Sequence, residues 1–387
     1  MTKRKVCVVV TARPSYSRIK TALLELKKNE DVELQLVVAA SALLERFGNA
    51  IAVMEKDGFE ITAKAYTLLE GEKLSSMAKT AGLGILELSN IFLNIRPDVV
   101  ITIADRYETM STAIAASFMN IPLIHVQGGE ITGNIDEKVR HSISKLADVH
   151  LVSNEIAKNR LIKMGEEESS IFVTGCPSID LAKEVAEHEE SYKFNPFETY
   201  PGVGNPSSLE NGYIVLMHHP VTTEYGEAKS QIQEVIAGIE DIDLPILWFW
   251  PNPDAGSDGT SKGIREFREK CNPDNIYFFK NMEPNHFLML LKNSRALIGN
   301  SSVGIRECSY LGVPVVNIGE RQSGRDRGRN VIDVTCEQEA IKSGINQALE
   351  LNRDEIKDKI YGDGDAGKAI SEAVLACELS IVKKLTY

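Results

Sequence analysis

The sequence predicts an α/β protein of two Rossmann-like domains with a cleft between them. Three observations carry that reading. The chain has 387 residues, more than one ordinary core organises, which points to two domains of roughly 150 to 200 residues each. Short β-branched runs alternate with amphipathic segments of helix length, the pattern of βαβ units on a parallel sheet. Residues 191–211 then break the alternation with Pro196, Pro201, Pro206, Gly202 and Gly204, and a second alternating set follows.

In the first set, Val6–Val10 is an apolar run that stops at Thr11-Ala12-Arg13-Pro14; it reads as a strand and is too short for the core of a signal peptide. A helix over Tyr16–Lys28, a strand over Glu33–Ala39, a helix near Ala78–Asn94, a strand over Val99–Ala104, a helix over Met110–Met119 and a strand over Leu123–Val126 follow. Helix Asp136–Ala147, strand Val149–Ser153, helix Ile156–Met164 and strand Ile171–Val173 complete it. In the second set the expected strands are Tyr213–Met217, Pro245–Trp250, Ile276–Phe279, Ala296–Ile298, Val315–Ile318 and Val331–Val334. Between them lie helices Glu227–Gly238, Lys262–Cys271, Asn285–Leu291 and Val303–Leu311, with Glu337–Leu349 after the last strand. The expected bounds are 1–190 and 191–365 for the two domains, and 366–387 for a terminal segment whose helix, about Ala366–Lys384, returns to the first.

With 43 basic and 55 acidic residues the net charge is −12, and 43% of residues are hydrophobic. That is the balance of a globular protein. It disfavours nucleic acid, whose affinity rests on clustered Lys and Arg, but leaves room for a small anion held by a local positive site. Six cysteines without a C-x-x-C pair argue against a zinc site or a disulfide framework and for a reduced, cytoplasmic setting. No stretch approaches the roughly 20 apolar residues that span a bilayer.

Ligands in such sheets lie beyond the carboxyl ends of strands. In the second half, Gly299-Asn300-Ser301-Ser302 follows a buried strand; Ser302 reads as the N-cap of the next helix, whose free N–H groups suit a phosphate. Ser301 and Ser302 add hydroxyls, and Glu307 is spaced to accept from ribose hydroxyls. Arg321, after the next strand, can neutralise a diphosphate. His219, in Met217-His218-His219-Pro220, can donate to a phosphate oxygen or protonate it. The adjacent histidines point to opposite faces, so they do not chelate a metal together.

In the first half, the loop after the first strand has no glycine, which disfavours a pyrophosphate there and so NAD or FAD; Arg13 and Ser17 remain as contacts for a base or sugar. Asp105 ends a strand of Ile and Val, where aspartate is a poor strand former; the bland alternative is a helix N-cap. His125, Gln127 and Glu130 end the next strand, and Asp136, Arg140 and His141 follow. Asp105, Glu130 and Asp136 form a candidate acid/base cluster.

These residues together resemble the UDP-N-acetylglucosamine 2-epimerase superfamily, and more closely its hydrolysing branch of sialic-acid and related nonulosonate biosynthesis. The resemblance runs nearly end to end through T-A-R-P-S-Y-S, A-D-R-Y-E, H-V-Q-G-G-E-I-T-G-N-I-D-E-K-V-R-H, H-H-P-V-T-T-E, P-N-P-D-A-G-S, G-N-S-S-V-G-I-R-E and G-E-R-Q-S-G-R. It implies a glycosyltransferase-B-like fold and a homodimer or homotetramer. It also implies release of N-acetylmannosamine and UDP from UDP-N-acetylglucosamine, by elimination to a 2-acetamidoglucal and hydration, with no metal or cofactor.

Carried over by residue, the resemblance implies that Arg13 and Ser17 hold the uridine, Ser301, Ser302, Arg321 and His219 the diphosphate, and Glu307 the ribose. Asp105, Arg106, Glu130, Asp136, Arg140 and His141 fall to the hexosamine, His125, Gln127 and Asn252 are further substrate-binding positions, and Asp105, Glu130, Asp136 and His219 are the candidates for chemistry. Two positions depart from the pattern: Ala104 stands where a glycine is usual, and Gln127 stands where relatives commonly carry a glutamate acid/base. The alternatives left open are a UDP- or GDP-linked diacetamido-trideoxyhexose as substrate, a glycosyltransferase of the same fold, and a catalytically weakened nucleotide-sugar sensor.

Overall fold

The computed structural model describes residues 3–45, 48–69, 74–132, 135–251 and 256–387. They form two compact units, Met1–Glu130 with Asp136–Asp180 and Tyr361–Tyr387, and Ile131–Ile135 with Leu181–Ile360.

Unit 1 is an all-parallel sheet of β1 (Arg4–Val10), β2 (Val32–Ala39), β3 (Ile61–Ala65), β4 (Val99–Ile103), β5 (Leu123–Val126), β6 (Val149–Val152) and β7 (Ile171–Val173), in the order β3-β2-β1-β4-β5-β6-β7. The direction of winding reverses between β1 and β4, the switch point at which such folds gather their sites. Strands buried on both faces need unbroken apolar runs, and Val6–Val10 and Val99–Ile103 are enclosed throughout. The expected Tyr16–Lys28 helix is two helices, Arg13–Ser17 and Lys20–Lys28, interrupted at Arg18-Ile19. The terminal helix ends at Ala376, short of the expected Lys384, and buries Ile370 and Val374 in the unit 1 core. Asp180 ties it there by accepting from Thr21 Oγ1 and from the N–H groups of Ala366 and Gly367.

Unit 2 repeats the winding with β8 (Gly202–Gly204), β9 (Ile214–Met217), β10 (Ile246–Phe249), β11 (Ile276–Phe279), β12 (Ala296–Gly299), β13 (Val315–Ile318) and β14 (Val331–Val334), ordered β14-β13-β12-β9-β10-β11-β8. Only β8 is antiparallel, paired to β11 at the edge. Against expected bounds at 190 and 365, the chain changes unit after Asp180 and again after Ile360. The helix Pro177–Glu187 explains the first shift, since Leu181, Ala182 and Val185 pack with Tyr213 and Val215. The Pro- and Gly-rich stretch is no free linker either: Phe194 stacks on His286 at 4.2 Å and Phe197 meets Tyr277 edge-on.

Candidate functional site

In unit 2 the polar residues collect at the carboxyl ends of β9, β12 and β13. β12 ends at Gly299, whose φ of 137° and contact with Met217 O leave no room for a side chain. Asn300, fully buried, binds the β9 end twice: its Oδ1 accepts from His219 N–H at 2.7 Å, and its Nδ2 donates to His219 O at 2.8 Å. Its carbonyl in turn accepts from Arg321 Nη1 and Gln322 Nε2, each at 3.0 Å. Asn300 thereby ties together, through its side chain and its backbone carbonyl, the three strand ends that carry His219, Ser301 and Arg321.

The helix after β12 is a single turn, Ser302–Ile305, with Ser301 and not Ser302 at the N-cap, because the chain breaks at Arg306 (φ −99°, ψ −76°) before Glu307–Leu311. So short a helix has little dipole. What these strand ends offer an anion is then the hydroxyls of Ser301 and Ser302 and the side chains of Arg321 and His219. Glu307 opens the second short helix, half-buried. Burial, with Arg321 and then His218 adding, holds the His219 imidazole well below its ordinary range. A neutral His219 can donate one hydrogen bond to a phosphate.

In unit 1, Asp105 follows β4 at the switch point. It is not a helix cap, since the next helix starts at Thr109 with Glu108 at its N-cap. Its carboxylate pairs with Arg140 and lies 3.9 Å from Arg18. Arg140 is fully enclosed and also donates to the carbonyl of Glu130 at 3.0 Å. The Glu130 carboxylate, 1% exposed, accepts from Ser153 Oγ at 2.9 Å. Asp105, Glu130 and Arg140 are thus brought together, and Asp136 sits half-buried in the first turn of the same helix as Arg140, Ile135–Leu146.

The other expected residues have contacts of their own. Arg106 engages Glu108 through two bonds, at 3.2 and 3.1 Å. His141 meets Glu137 at 2.8 Å, and Arg13 donates to Gly48 O at 3.0 Å. Ser17 ends the first short helix, half-buried. Gln127, 1% exposed with a φ of 65°, donates from Nε2 to Cys176 Sγ at 2.9 Å. His125 is wholly enclosed within β5. Asn252 lies outside the described residues.

Three contributors escaped the sequence reading. Arg18 looks like part of a continuous helix, and only the interruption before Ile19 brings it beside Asp105. Ser153 reads as the end of a strand. Asn300 lies inside a polar loop that was singled out for its serines.

A family model described as UDP-N-acetylglucosamine 2-epimerase matches residues 24–375. The chain is 36% identical over 362 residues to a UDP-N,N'-diacetylbacillosamine 2-epimerase (hydrolyzing) of Legionella pneumophila, with 93% of each chain covered. It is 32% identical over 335 residues to a GDP/UDP-N,N'-diacetylbacillosamine 2-epimerase (hydrolyzing) of Campylobacter jejuni, covering 86% of this chain and 85% of that one. Among solved structures, the UDP-GlcNAc 2-epimerase of Neisseria meningitidis bound to UDP-GlcNAc shares the fold with a TM-score of 0.79 at 19% identity, over 96% of this chain and 99% of that chain.

Proposed function

The chain belongs to the UDP-N-acetylglucosamine 2-epimerase family, and from that membership we propose that it is a hydrolysing 2-epimerase. It would convert a UDP-linked 2-acetamidohexose and water to UDP and the free sugar inverted at C2, with UDP-N-acetylglucosamine giving N-acetylmannosamine. The observation that carries the proposal is the pairing of Asp105 with Arg140 at the switch point of unit 1. It supports Asp105, a carboxylate held in one orientation, as the proton acceptor of that reaction.

The C2 proton is not next to a carbonyl and is weakly acidic, so its removal must be coupled to cleavage of the bond from C1 to the UDP oxygen. Asp105 takes the proton while UDP departs anti to it, giving a 2-acetamidoglucal. UDP leaves as an anion that needs neutralising more than it needs a proton. Arg321 supplies charge, and Ser301, Ser302 and neutral His219 supply hydrogen bonds from a preorganised frame. Water then adds its oxygen at C1 and gives one proton to solvent, while Asp136, having taken a proton from solvent, delivers it to the opposite face of C2; the proton held by Asp105 returns to solvent. Gln127, an amide tied to Cys176, takes no part in proton transfer. No step needs a metal or nicotinamide.

A second reading concerns the sugar alone. The two relatives described above, at 36% and 32% identity, are both named for N,N'-diacetylbacillosamine, which favours a 2,4-diacetamido-trideoxy substrate over plain N-acetylglucosamine. Incubation of the purified chain with each UDP-sugar alone, scoring free UDP and the configuration of the released sugar, tests both readings. UDP with a manno-configured sugar supports hydrolysing epimerisation, and the faster substrate identifies the sugar. UDP with a gluco-configured sugar would instead indicate transfer to water, and no turnover would indicate a sensor.

A further inference from the structure

Resting on the assignment of Asp105 as the C2 base, we infer that His125 is a positioning residue that sets Asp105 through the carbonyl of Ala104, and is not a group that meets the sugar. The His125 ring is fully enclosed. Its Nε2 lies 2.8 Å from Ala104 O, and its Nδ1 lies 3.0 Å from Ser144 Oγ. A carbonyl only accepts, so Nε2 carries the hydrogen and Nδ1 accepts the Ser144 hydroxyl's. Burial pushes the imidazole down to about 3, so the ring stays neutral and keeps this tautomer. A side chain on Gly128 would sit 2.9 Å from Nδ1 and 2.8 Å from Ser144 Oγ, which shows how closely the ring is packed.

The bond restrains a backbone that alanine does not adopt freely. Ala104 has a φ of 62°, a left-handed conformation that persists only where its surroundings enforce it. β5 grips it on both sides: Ala104 N–H donates to Val126 O at 2.9 Å, and its carbonyl takes the His125 hydrogen. The next residue is Asp105. Its partner Arg140 and the His125 partner Ser144 are four residues apart on the helix Ile135–Leu146, and so lie on one face of it. A single helix therefore anchors both the carboxylate and the ring that shapes the turn before it. Without the His125 bond the Ala104 peptide can rotate, and Asp105 loses its aim while the UDP contacts in unit 2 are untouched.

The test uses the full chain and whichever UDP-sugar it turns over. His125→Phe keeps the bulk and loses the donor; kcat is expected to fall about a hundredfold with KM and UDP affinity within about twofold. His125→Gln, whose Nε2–H can reach the same carbonyl, is expected to recover about tenfold of that loss. A Phe variant at wild-type kcat, a Gln variant no better than Phe, or a parallel loss of UDP affinity would overturn the inference. Should His125→Phe not fold, nitrogen NMR of the wild-type imidazole decides it: a bare Nδ1 and a protonated Nε2 are expected, and the reverse tautomer overturns the inference. Failure of the functional reading looks different. It shows as a wild-type chain inert on both sugars or an Asp105→Asn variant that still turns over, and the NMR result then judges the Ala104 contact by itself.

Discussion

Asn300 holds His219 by both ends of its peptide unit, accepting from the His219 N–H at 2.7 Å and donating to its carbonyl at 2.8 Å. Its backbone carbonyl also receives Arg321, so Asn300 lies between two groups assigned to the diphosphate, holding His219 through its side chain and Arg321 through its backbone. Asn300→Ala would remove both side-chain bonds to the His219 backbone, costing about 2 to 3 kcal/mol of stability. It should also weaken UDP binding by about tenfold or more through the loosened frame. Urea unfolding and calorimetry with UDP check both parts, and unchanged UDP affinity in a folded variant would separate Asn300 from the site.

Arg321→Ala removes charge from the same frame directly. UDP affinity should fall by about 2 kcal/mol, the usual scale for a charge-assisted contact. Calorimetry in two salt concentrations gives the check, and affinity equal to wild type would take Arg321 out of the diphosphate site.

Asp105→Asn should abolish turnover while leaving UDP affinity nearly intact, since it removes a proton acceptor in unit 1 and no phosphate contact. It also takes the carboxylate charge from beside Arg140, which is fully enclosed, so stability should drop by about 2 to 4 kcal/mol. Turnover above one-tenth of wild type would move the base to another carboxylate.

The strand pattern of both units was legible because buried parallel strands demand continuous apolar runs; the bounds expected for β5, β7, β11, β13 and β14 agree with the structure. What was hidden is physical. β3 alternates half-exposed and exposed residues before a buried Ala65, at a sheet edge, and β8 is a Gly-Val-Gly edge strand, so neither has a strong apolar signature. Helix Pro177–Glu187 is masked by Gly175 just before it and by the proline that opens it. Within the site, residue types at strand ends were readable, but their partners were not. Nothing in the sequence shows that Gln127 and Ala104 adopt φ values of 65° and 62°, or that Gln127 turns to Cys176 and Arg106 to Glu108.

Gln127→Glu tests whether the amide is an impairment. The position is 1% exposed and faces the Cys176 sulfur, so the change buries a carboxylate in place of a neutral amide. Stability should fall and turnover should not rise. A gain of about a hundredfold at neutral pH would show that the natural glutamine weakens the enzyme.

Acid should destabilise the fold through its buried histidines. Burial, aided by Arg321, lowers His218 to about 4, and burial lowers His125 to about 3, against 6.5 for the free side chain. Below pH 6.5 the unfolded chain therefore binds protons that the folded chain refuses. Stability is full above that pH and declines as pH falls toward the folded values. Urea midpoints between pH 6.5 and 5, above the range where the lowered Glu166 titrates, should drop, and less steeply in His218→Gln. An identical slope in the variant would contradict this assignment.

The central claim is elimination at C2 with hydrolysis, and the reaction run in deuterium oxide with no acceptor tests it most directly. With UDP-N-acetylglucosamine or its 2,4-diacetamido analogue, whichever turns over, the account predicts free UDP and a free sugar of inverted C2 configuration carrying one deuterium at C2. A released sugar that keeps its original C2 hydrogen or its gluco configuration would contradict it, as would a deuterated epimer still joined to UDP.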